Sequence, residues 1–223
     1  MNDFVDCGTY WQHIHAQGSD SWKQIRLNLL TASKFRKCRG IEPWAKKDLP
    51  VLIYDLQNGV DSTVPNELMA HGNLFEPIAR EWYEETYQCK VQTVGLAIPK
   101  WNKFIGASPD GLIGDDGGLE IKCPKIMYPA LVEYMSKNVK LNPNQYYDID
   151  NYNHIKRDHF DQIQGCLAVY NRKWWDYCVF ASESKQCFVQ RIPRFQEYWE
   201  QEAYPDIQKF LLQVWGAAQN SKD

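Results

Sequence analysis

The sequence predicts an α/β fold in which a central mixed β-sheet is flanked by helices. Segments with helical periodicity alternate with short segments of strand pattern, in the order helix, strands, helix, strands, helix. The chain has 223 residues, of which 44% are hydrophobic and 24% are charged, which is enough to build one sizeable core. We therefore expect a single domain over residues 1–223.

Two helical regions open the chain. Residues 19–36 have an amphipathic helical pattern that breaks near Asn28, and Thr31 or Ser33 is expected to start a second helix. Residues 43–66 combine Pro, Asp and Gly with one short apolar run, which predicts a helix between loops.

A longer helix is predicted over residues 71–88. Apolar side chains recur in it at helical spacing, and most of the remaining positions are polar or charged. The apolar positions are Phe75, Ile78, Ala79, Trp82 and Tyr83. Pro77 suggests that the regular part of this helix begins only near Phe75, since proline is favoured in a first helical turn.

Strands follow this helix. Residues 90–98, 104–107 and 118–123 have strand patterns, and the last two are linked by the turn-rich sequence PDGLIGDDGG. Residues 138–153 are then predicted to form an irregular loop, and residues 157–170 a helix. A strand pair is predicted at residues 174–181 and 186–192, followed by a closing helical region at 195–218. Residues 219–223 are short and polar, which is typical of an irregular tail.

The composition excludes several classes of protein. A net charge of −3 is not the strongly basic balance of a protein that coats nucleic acid by charge alone. No apolar run approaches the roughly 20 residues of a membrane span, and the first residues lack the pattern of a secretory signal. The 7 cysteines form no CxxC pair, so we expect free thiols in a reducing, intracellular setting.

The segment that carries chemistry is residues 105–124, with the sequence IGASPDGLIGDDGGLEIKCP. Glu120 and Lys122 lie two apart on a predicted strand, so their side chains share one face. Asp110 follows a turn that can return it to that face. Two carboxylates can hold divalent ions through oxygen, and a lysine can orient or deprotonate water and stabilise developing charge, as phosphodiester hydrolysis requires.

The same residues also have an ordinary structural interpretation. A lone Glu-x-Lys pair on a strand usually marks a solvated face, and SPDG is a common turn sequence. The alternation of Leu119 and Ile121 with the charged pair favours the catalytic interpretation. The two apolar side chains can point to the core while Glu120 and Lys122 share the other face.

The segment SPDG…GLEIKCP resembles the motif of the lambda exonuclease or YqaJ-type viral recombinase family, within the PD-(D/E)xK nuclease superfamily. Three further segments match the family in order, namely QGSDSWKQIRLNLLTASKF, HGNLFEPIAREWYEE and HFDQIQGCLAV. The match extends from Gln17 to Val169, and four ordered motifs are far more specific than one. The resemblance implies a PD-(D/E)xK nuclease core in the single domain expected above.

The resemblance implies a catalytic site formed by Asp110, Glu120 and Lys122. Asp110 and Glu120 would hold the metals, with Glu76 and the backbone carbonyl of Ile121 completing the shell, and Lys122 would act on the attacking water. The implied cofactor is Mg²⁺, with two ions per site, and Mn²⁺ could substitute. By sequence alone, a glutamate beside an apolar stripe, such as Glu76, is usually a surface residue.

Two glutamines and a methionine are further candidates. Gln162 and Gln164 are two apart on a predicted helix and face different ways, so only one is expected to support the site, and the family pattern favours Gln164. Met69 lies about where the family inserts an apolar wedge between the DNA strands. Its alternative role is to fill a gap in the core.

The resemblance also implies a pocket for the 5′-phosphate of a DNA end, formed by Arg26, Ser33 and Ser108. A guanidinium can bind two phosphate oxygens at once, and Ser33 lies near a predicted helix start, where N–H groups can bind phosphate. The alternative is an ordinary salt bridge for Arg26 and an ordinary helix N-cap for Ser33.

The function expected from the resemblance is Mg²⁺-dependent 5′→3′ exonuclease activity on linear double-stranded DNA with 5′-phosphorylated ends. The product would be a 3′ single-stranded tail for recombination by strand annealing, with a single-strand-annealing protein as partner. The resemblance allows a homotrimer, although relatives on the same fold act as monomers. A viral protein would act in the host cytoplasm or nucleus, and a phage or bacterial protein in the cytoplasm.

Two alternatives stay open at this stage. One is a nuclease with a different cut pattern on the same fold, either an endonuclease or an RNA-cleaving enzyme. The other is a non-catalytic protein that binds DNA ends. The presence of Asp110, Glu120 and Lys122 together argues against the second alternative, because a binding protein has no need of all three.

Overall fold

A computed structural model describes residues 3–216 of the chain. The strands are β1 (Phe4–Asp6), β2 (Tyr10–His13), β3 (Leu30–Thr31), β4 (Ala97–Pro99), β5 (Ile105–Gly106), β6 (Gly111–Ile113), β7 (Gly117–Lys122), β8 (Trp174–Ala181) and β9 (Gln186–Pro193). The tail predicted at residues 219–223 and the last two residues of the closing helical region lie outside the described residues.

Helices account for much of the remaining chain. They are α1 (Asp20–Arg26), α2 (Phe35–Arg39), α3 (Pro43–Asn58), α4 (Glu67–Tyr87), α5 (Pro129–Ser136), α6 (Arg157–Tyr170), α7 (Gln196–Tyr198) and α8 (Tyr204–Trp215). Two 3₁₀ turns occur at Ala32–Lys34 and Ile149–Tyr152, and a π-helical turn at Trp199–Ala203 joins α7 to α8. Among the described residues, no helix combines the length and apolarity that crossing a lipid bilayer requires.

A four-stranded mixed sheet has the strand order β6-β7-β8-β9. Strands β7 and β8 run parallel, while the β6–β7 and β8–β9 pairs are antiparallel. Parallel neighbours need a long crossover, which here contains α5 and α6. The predicted α/β fold with a mixed sheet is therefore confirmed. The described residues also form an antiparallel sheet, β1-β2-β4, and a short parallel pair, β3-β5, which the sequence pattern did not predict.

Helix α6 is buried from His159 to Tyr170 and packs against β8, β4, α2 and the Ala32–Lys34 turn. Gly165 permits this close approach, because a Cβ atom at that position would lie 2.3 Å from the ring of Phe35. A helix that is covered on all sides has one fixed rotation about its axis. The rotation of α6 consequently decides which of its side chains reach the site.

The opposite face of the mixed sheet packs against α4. Leu119 and Ile121 of β7 form a small apolar cluster there with Ala79 and Tyr83 of α4 and with Cys178 of β8. The predicted alternation along β7 is therefore present, since the apolar side chains face α4 and the charged ones face the other way.

Helix α4 differs from its predicted form. It begins at Glu67, where the Asn66 side chain caps the helix by accepting a hydrogen bond from the Met69 backbone N–H, and Pro77 lies inside it. The expectation that the regular part begins near Phe75 was wrong, because the cap sets the start of the helix. Ile78, expected in the core stripe, is 46% exposed.

The strand predictions also need correction. In residues 90–98, only β4 and a bridge between Gln92 and Leu112 form, since the backbone at Gly95 passes directly beside the His13 and His15 carbonyls. The turn-rich segment contains strand β6. By contrast, α6 and β8 have the predicted bounds, and β9 extends one residue further than predicted.

Candidate active site

Asp110, Glu120 and Lys122 lie together at the end of β7. The antiparallel register places Gly111 opposite Leu119, so Asp110 immediately precedes β6 beside the end of β7. The Asp110 carboxylate accepts a hydrogen bond of 2.6 Å from the Ile121 backbone N–H. The Lys122 ammonium lies 2.7 Å from the Glu120 carboxylate. The hairpin predicted from the sequence thus brings the three side chains into one place.

Gln162 of α6 completes this group. Its side-chain amide donates a hydrogen bond of 2.7 Å to Oε1 of Glu120, and its amide oxygen accepts one of 3.1 Å from Lys122. Gln164 instead bonds the Pro193 carbonyl and the Phe195 N–H, away from the site. The preference for Gln164 was therefore wrong, because two residues on a helix differ by about 200° in direction.

The electrostatics of the site show an excess of negative charge. Burial, followed by the neighbouring Glu120 and Glu76 carboxylates, raises the pKa of Asp110 well above its usual value. Burial alone would lower the pKa of Lys122, but Glu120 and Asp110 outweigh it and raise that pKa. The three carboxylates of Asp110, Glu120 and Glu76 have two cationic partners, since Lys122 pairs with Glu120 and Arg80 pairs with Glu76. A further cation would lower the energy of this arrangement.

The buried carboxylate of Glu120 supports a metal ligand role. Glu120 is only 1% exposed, and within residues 3–216 its Oε2 atom has no hydrogen-bond partner although it is buried. A buried carboxylate oxygen without a partner is costly unless a cation balances it. Glu120 is buried because α6 covers it through Gln162.

The backbone at Ile121 offers another oxygen on the same side. Its N–H faces Asp110, and a residue in a strand directs its N–H and C=O to the same side. Two carboxylates and one carbonyl are the hard oxygen ligands that divalent cations such as Mg²⁺ prefer. The donor set formed by Asp110, Glu120 and Ile121 therefore fits a divalent cation.

Glu76 lines the cavity that also contains Asp110, Glu120 and Lys122. Its carboxylate accepts a hydrogen bond from the guanidinium of Arg80, four residues along α4. Burial raises the pKa of Glu76, which Arg80 opposes. Within residues 3–216, no group of three or more Asp, Glu, His or Cys side chains is arranged to hold a metal ion. Glu76 would therefore bind a metal ion either through its second carboxylate oxygen or by leaving Arg80.

A cleft of about 630 Å³ joins the catalytic group to the candidate phosphate pocket. Its lining includes Met69, which is 44% exposed, so the alternative that Met69 fills a gap in the core was wrong. The candidate phosphate ligands Arg26, Ser33 and Ser108 line the same cleft. One continuous cleft therefore contains Asp110, Glu120 and Lys122 together with the candidate phosphate ligands.

Arg26 and Ser108 are neighbours in this cleft. The Arg26 guanidinium donates to the Ser108 hydroxyl at 3.4 Å and lies 4.2 Å from the ring of Trp22, which also bonds Ser108. Burial lowers the pKa of Arg26 to about 10, with a small opposing effect from Asp61. In the described part of the chain, Arg26 forms no ion pair within 4.0 Å, which argues against the ordinary salt bridge.

Ser33 lies in the 3₁₀ turn that precedes α2 and is exposed to the cleft. Its hydroxyl is 3.4 Å from that of Thr31. Because Ser33 lies inside the turn, it is not an N-cap, and Thr31 occupies the capping position instead. The hydroxyl of Ser33 is therefore available to a ligand in the cleft.

Sequence reasoning missed several residues of the site. Arg80 had a usable signal, because Glu and Arg four apart on a helix share a face. Lys125, Tyr128 and Lys156 also line the cleft, and the Lys156 ammonium lies 3.9 Å from the centre of the Tyr128 ring. No motif marks these three residues: Lys125 and Tyr128 lie between β7 and α5, and Lys156 immediately precedes α6.

A mixed sheet that carries Asp110, Glu120 and Lys122 at adjoining strand ends has the core fold of the PD-(D/E)xK nuclease superfamily. Residues 21–172 match the model of a family described as the YqaJ-like viral recombinase domain. The chain therefore belongs to the YqaJ-like viral recombinase family. The resemblance noted in the sequence is confirmed.

Solved structures with the same fold include an alkaline exonuclease, LHK-Exo, from Laribacter hongkongensis. It is 26% identical, with a TM-score of 0.66 over 88% of this chain and 92% of the other. The same protein in complex with dAMP gives a TM-score of 0.68 at the same identity and coverage. A phage-related exonuclease from Haemophilus somnus 129PT shares the fold at 14% identity, with a TM-score of 0.57 over 83% of this chain and 94% of the other.

A curated relative is an uncharacterized protein of Acanthamoeba polyphaga mimivirus. It is 31% identical over 106 residues, which are 46% of this chain. The matched part is 19% of that relative, so the chain corresponds to a small part of a much longer protein.

Proposed function

We propose that this chain is a Mg²⁺-dependent exonuclease that degrades one strand of linear double-stranded DNA in the 5′→3′ direction from 5′-phosphorylated ends. The observation that carries the proposal is the buried Glu120 carboxylate beside Asp110 and Lys122, whose Oε2 has no partner among the residues that the structure describes. This group opens into the cleft that also contains Arg26. Residues 1–223 would form a single nuclease domain.

The roles of the side chains follow from their positions. Asp110, Glu120 and the Ile121 carbonyl would hold up to two divalent ions, with Glu76 as a further ligand, and Mn²⁺ could replace Mg²⁺. Bound ions of this kind activate water and neutralise charge on the phosphate. Lys122 would hold the attacking water and stabilise developing charge, while Gln162 fixes its ammonium beside Glu120.

The polarity of degradation rests on the candidate phosphate pocket. Arg26 is charged, largely buried and without an ion pair in the described part of the chain, and Ser108 and Ser33 add hydroxyl donors nearby. These are suitable ligands for a terminal phosphate. A 5′-phosphate seated there would leave the adjoining phosphodiester to extend along the cleft toward Asp110 and Glu120.

The relatives support a DNA substrate. LHK-Exo is described as an alkaline exonuclease and has been seen with dAMP, a deoxynucleoside monophosphate. An exonuclease that removes one nucleotide at a time from DNA releases products of this class. The remaining 3′ single-stranded tail would serve recombination through a single-strand-annealing protein. A homotrimer and an intracellular location are further parts of this proposal.

The test is digestion of linear duplex DNA labelled at either the 5′ or the 3′ end, with and without Mg²⁺. We expect Mg²⁺-dependent early release of the 5′ label as mononucleotide while the 3′-labelled strand shortens progressively. Circular duplex DNA and single-stranded RNA should persist. Cleavage of the circle would support an endonuclease, cleavage of RNA an RNA-cleaving enzyme, and binding without cleavage an end-binding protein.

A further inference from the structure

Arg80 contacts both acidic segments of the site without lining the catalytic cleft itself. Its terminal nitrogen donates to the Glu76 carboxylate, and its Nε donates to the Asp110 backbone carbonyl at 3.2 Å. The guanidinium is about four-fifths buried. It therefore links α4 to the residue that precedes β6.

A second cavity, of about 560 Å³, lies on the other side of Glu76. Arg80 lines this second cavity, whereas Glu76, Asp110 and Gln17 line both. Gln17 belongs to the wall between them, because its side-chain amide bonds the carbonyls of Pro109 at 2.5 Å and Val94 at 3.2 Å. The Glu76 carboxylate thus lies where it can face either cavity.

Each glutamate of the site forms an ion pair with a basic side chain. Glu120 is paired with Lys122, and Glu76 is paired with Arg80. The two pairs differ in one respect. Lys122 shares the catalytic cleft with its glutamate, but Arg80 draws Glu76 toward the second cavity. A divalent cation bound at Asp110 and Glu120 would therefore compete with Arg80 for Glu76.

We propose that Arg80 is a positioning residue for Glu76. Its guanidinium is the counter-ion of the Glu76 carboxylate until a divalent cation binds, and the carboxylate then moves from Arg80 to the cation. The proposal rests on the metal site of the proposed function. The Glu76 carboxylate can leave Arg80 by rotation of its own side chain, while the Nε bond keeps the planar guanidinium on the Asp110 carbonyl. Glu76 lines both cavities, so such a rotation would keep its side chain between them.

The experiment measures Mn²⁺ affinity by calorimetry at mildly alkaline pH, without DNA, for the full chain. Arg80→Gln should bind Mn²⁺ about 3- to 5-fold more tightly than wild type, since a competing, partly exposed ion pair has been removed. In the Glu76→Gln background, Arg80→Gln should leave the Mn²⁺ affinity unchanged. Lys125→Gln is the matched control, because it removes a cation that lines the cleft but pairs with Glu183.

The outcomes separate this inference from the proposed function. Wild-type protein that binds no Mn²⁺ would overturn the metal site and the exonuclease proposal with it. Arg80→Gln protein that binds Mn²⁺ with equal or lower affinity would overturn only the role of Arg80. The same holds if Lys125→Gln, or Arg80→Gln in the Glu76→Gln background, gives an equal gain, because the effect would then reflect net charge alone.

A measurement on the wild-type protein makes the test independent of how Arg80→Gln folds. The Nε–H resonance of Arg80, identified by its loss in Arg80→Lys, is followed by NMR as Mg²⁺ is added. We expect this resonance to shift in the wild type and to stay unchanged in Glu76→Gln. An Arg80 resonance that does not respond to saturating Mg²⁺ would overturn the proposal.

Discussion

The Gln162 amide donates a hydrogen bond of 2.7 Å to the Glu120 carboxylate, joining the buried helix α6 to the end of strand β7. The same amide accepts from Lys122 at 3.1 Å, so one side chain orients both members of the charged pair. Because α6 is buried from His159 to Tyr170, the position of this amide is set by the core. Site geometry and core packing are thus directly linked.

Gln162→Ala should lower the cleavage rate by about 10- to 100-fold, the usual effect of removing a residue that orients metal ligands. The Glu120 carboxylate and the Lys122 ammonium would each lose one fixed partner. Single-turnover cleavage of 5′-phosphorylated duplex DNA measures the rate. Wild-type rates in a folded Gln162→Ala protein would contradict this role.

Gln164→Ala is the matched control on the same helix. It removes two hydrogen bonds and leaves the buried Phe195 N–H without a partner, which should cost about 1–3 kcal/mol of unfolding free energy. Its cleavage rate should stay close to that of the wild type. Urea denaturation and the same cleavage assay therefore separate a structural glutamine from one in the site.

Glu120→Gln and Lys122→Ala should each lower the cleavage rate by roughly 10²–10⁴-fold. The conservative change is chosen at Glu120 because that side chain is buried and alanine would leave a gap against Gln162. Only Glu120→Gln should weaken Mg²⁺ binding, since Lys122 is not a ligand. Calorimetry with Mg²⁺ tests this difference, and circular dichroism checks the fold. Wild-type rates in either folded variant would contradict the assignment of the site, and full activity of the wild-type protein in EDTA would reject the metal mechanism.

The sequence predicted those parts of the site that depend on local periodicity. Glu120 and Lys122 share a face because β7 has a period of two, and the turn after Ser108 returns Asp110 beside them. The bounds of α6 and β8 were also predictable, because their apolar patterns are long and end at clear turns.

What the sequence left undetermined depends on packing between distant segments. The choice between Gln162 and Gln164 follows from the rotation of α6, which is set by contacts with β8, α2 and the Ala32–Lys34 turn. The burial of Glu120 has the same origin. The sheet β1-β2-β4 brings the start of the chain to residues 97–99, a pairing that no local pattern specifies.

The free energy of unfolding should decrease as the pH falls below about 6.5, with His159 as one cause. Burial, followed by repulsion from Lys122 and Lys156, lowers the pKa of His159 to about 2, and its ring bonds the Tyr177 hydroxyl. The folded protein therefore keeps this histidine neutral, while the unfolded chain takes up a proton near its ordinary pKa of about 6.5. Between about pH 7.5 and 5.5 this linkage should remove about 1.4 kcal/mol.

Comparison with His159→Gln isolates this contribution. Burial also lowers the pKa of His13 and His154, which changes stability in the same direction, whereas the raised pKa of Asp110 acts in the opposite one. The wild type should lose more unfolding free energy than the variant across the window, as measured by urea denaturation at each pH. Parallel pH profiles would show that His159 is not involved.

Met69→Ala should slow degradation of blunt duplex ends more than that of ends with unpaired terminal bases. An exposed apolar side chain at the edge of the cleft could separate the terminal base pair, which costs a few kcal/mol per unstacked step. Leu74→Ala is the matched control, because Leu74 is 66% exposed on the same helix. An equal loss on both kinds of end would rule out the wedge.

Linear duplex DNA with a 5′-phosphate should be degraded faster than the same duplex with a 5′-hydroxyl, and Arg26→Ala should remove most of that difference. A buried guanidinium without an ion pair in the described residues should contribute roughly 1.5–3 kcal/mol to binding a phosphate, about 10- to 100-fold in rate. Ser33→Ala should have a smaller effect of the same kind, because a single hydroxyl contributes less than a forked guanidinium.

Lys23→Ala provides the control for this last prediction. Lys23 is a cation on the same helix, but it is exposed and lies 3.5 Å from Asp20, so its removal should leave the preference for 5′-phosphate intact. Mg²⁺ affinity should be unchanged in Arg26→Ala, since Arg26 is not a proposed ligand. Initial rates on the two substrates give the preference for each protein. Equal wild-type rates on both would reject the phosphate pocket and remove the physical support for 5′→3′ polarity, while Asp110, Glu120 and Lys122 could still form a nuclease site.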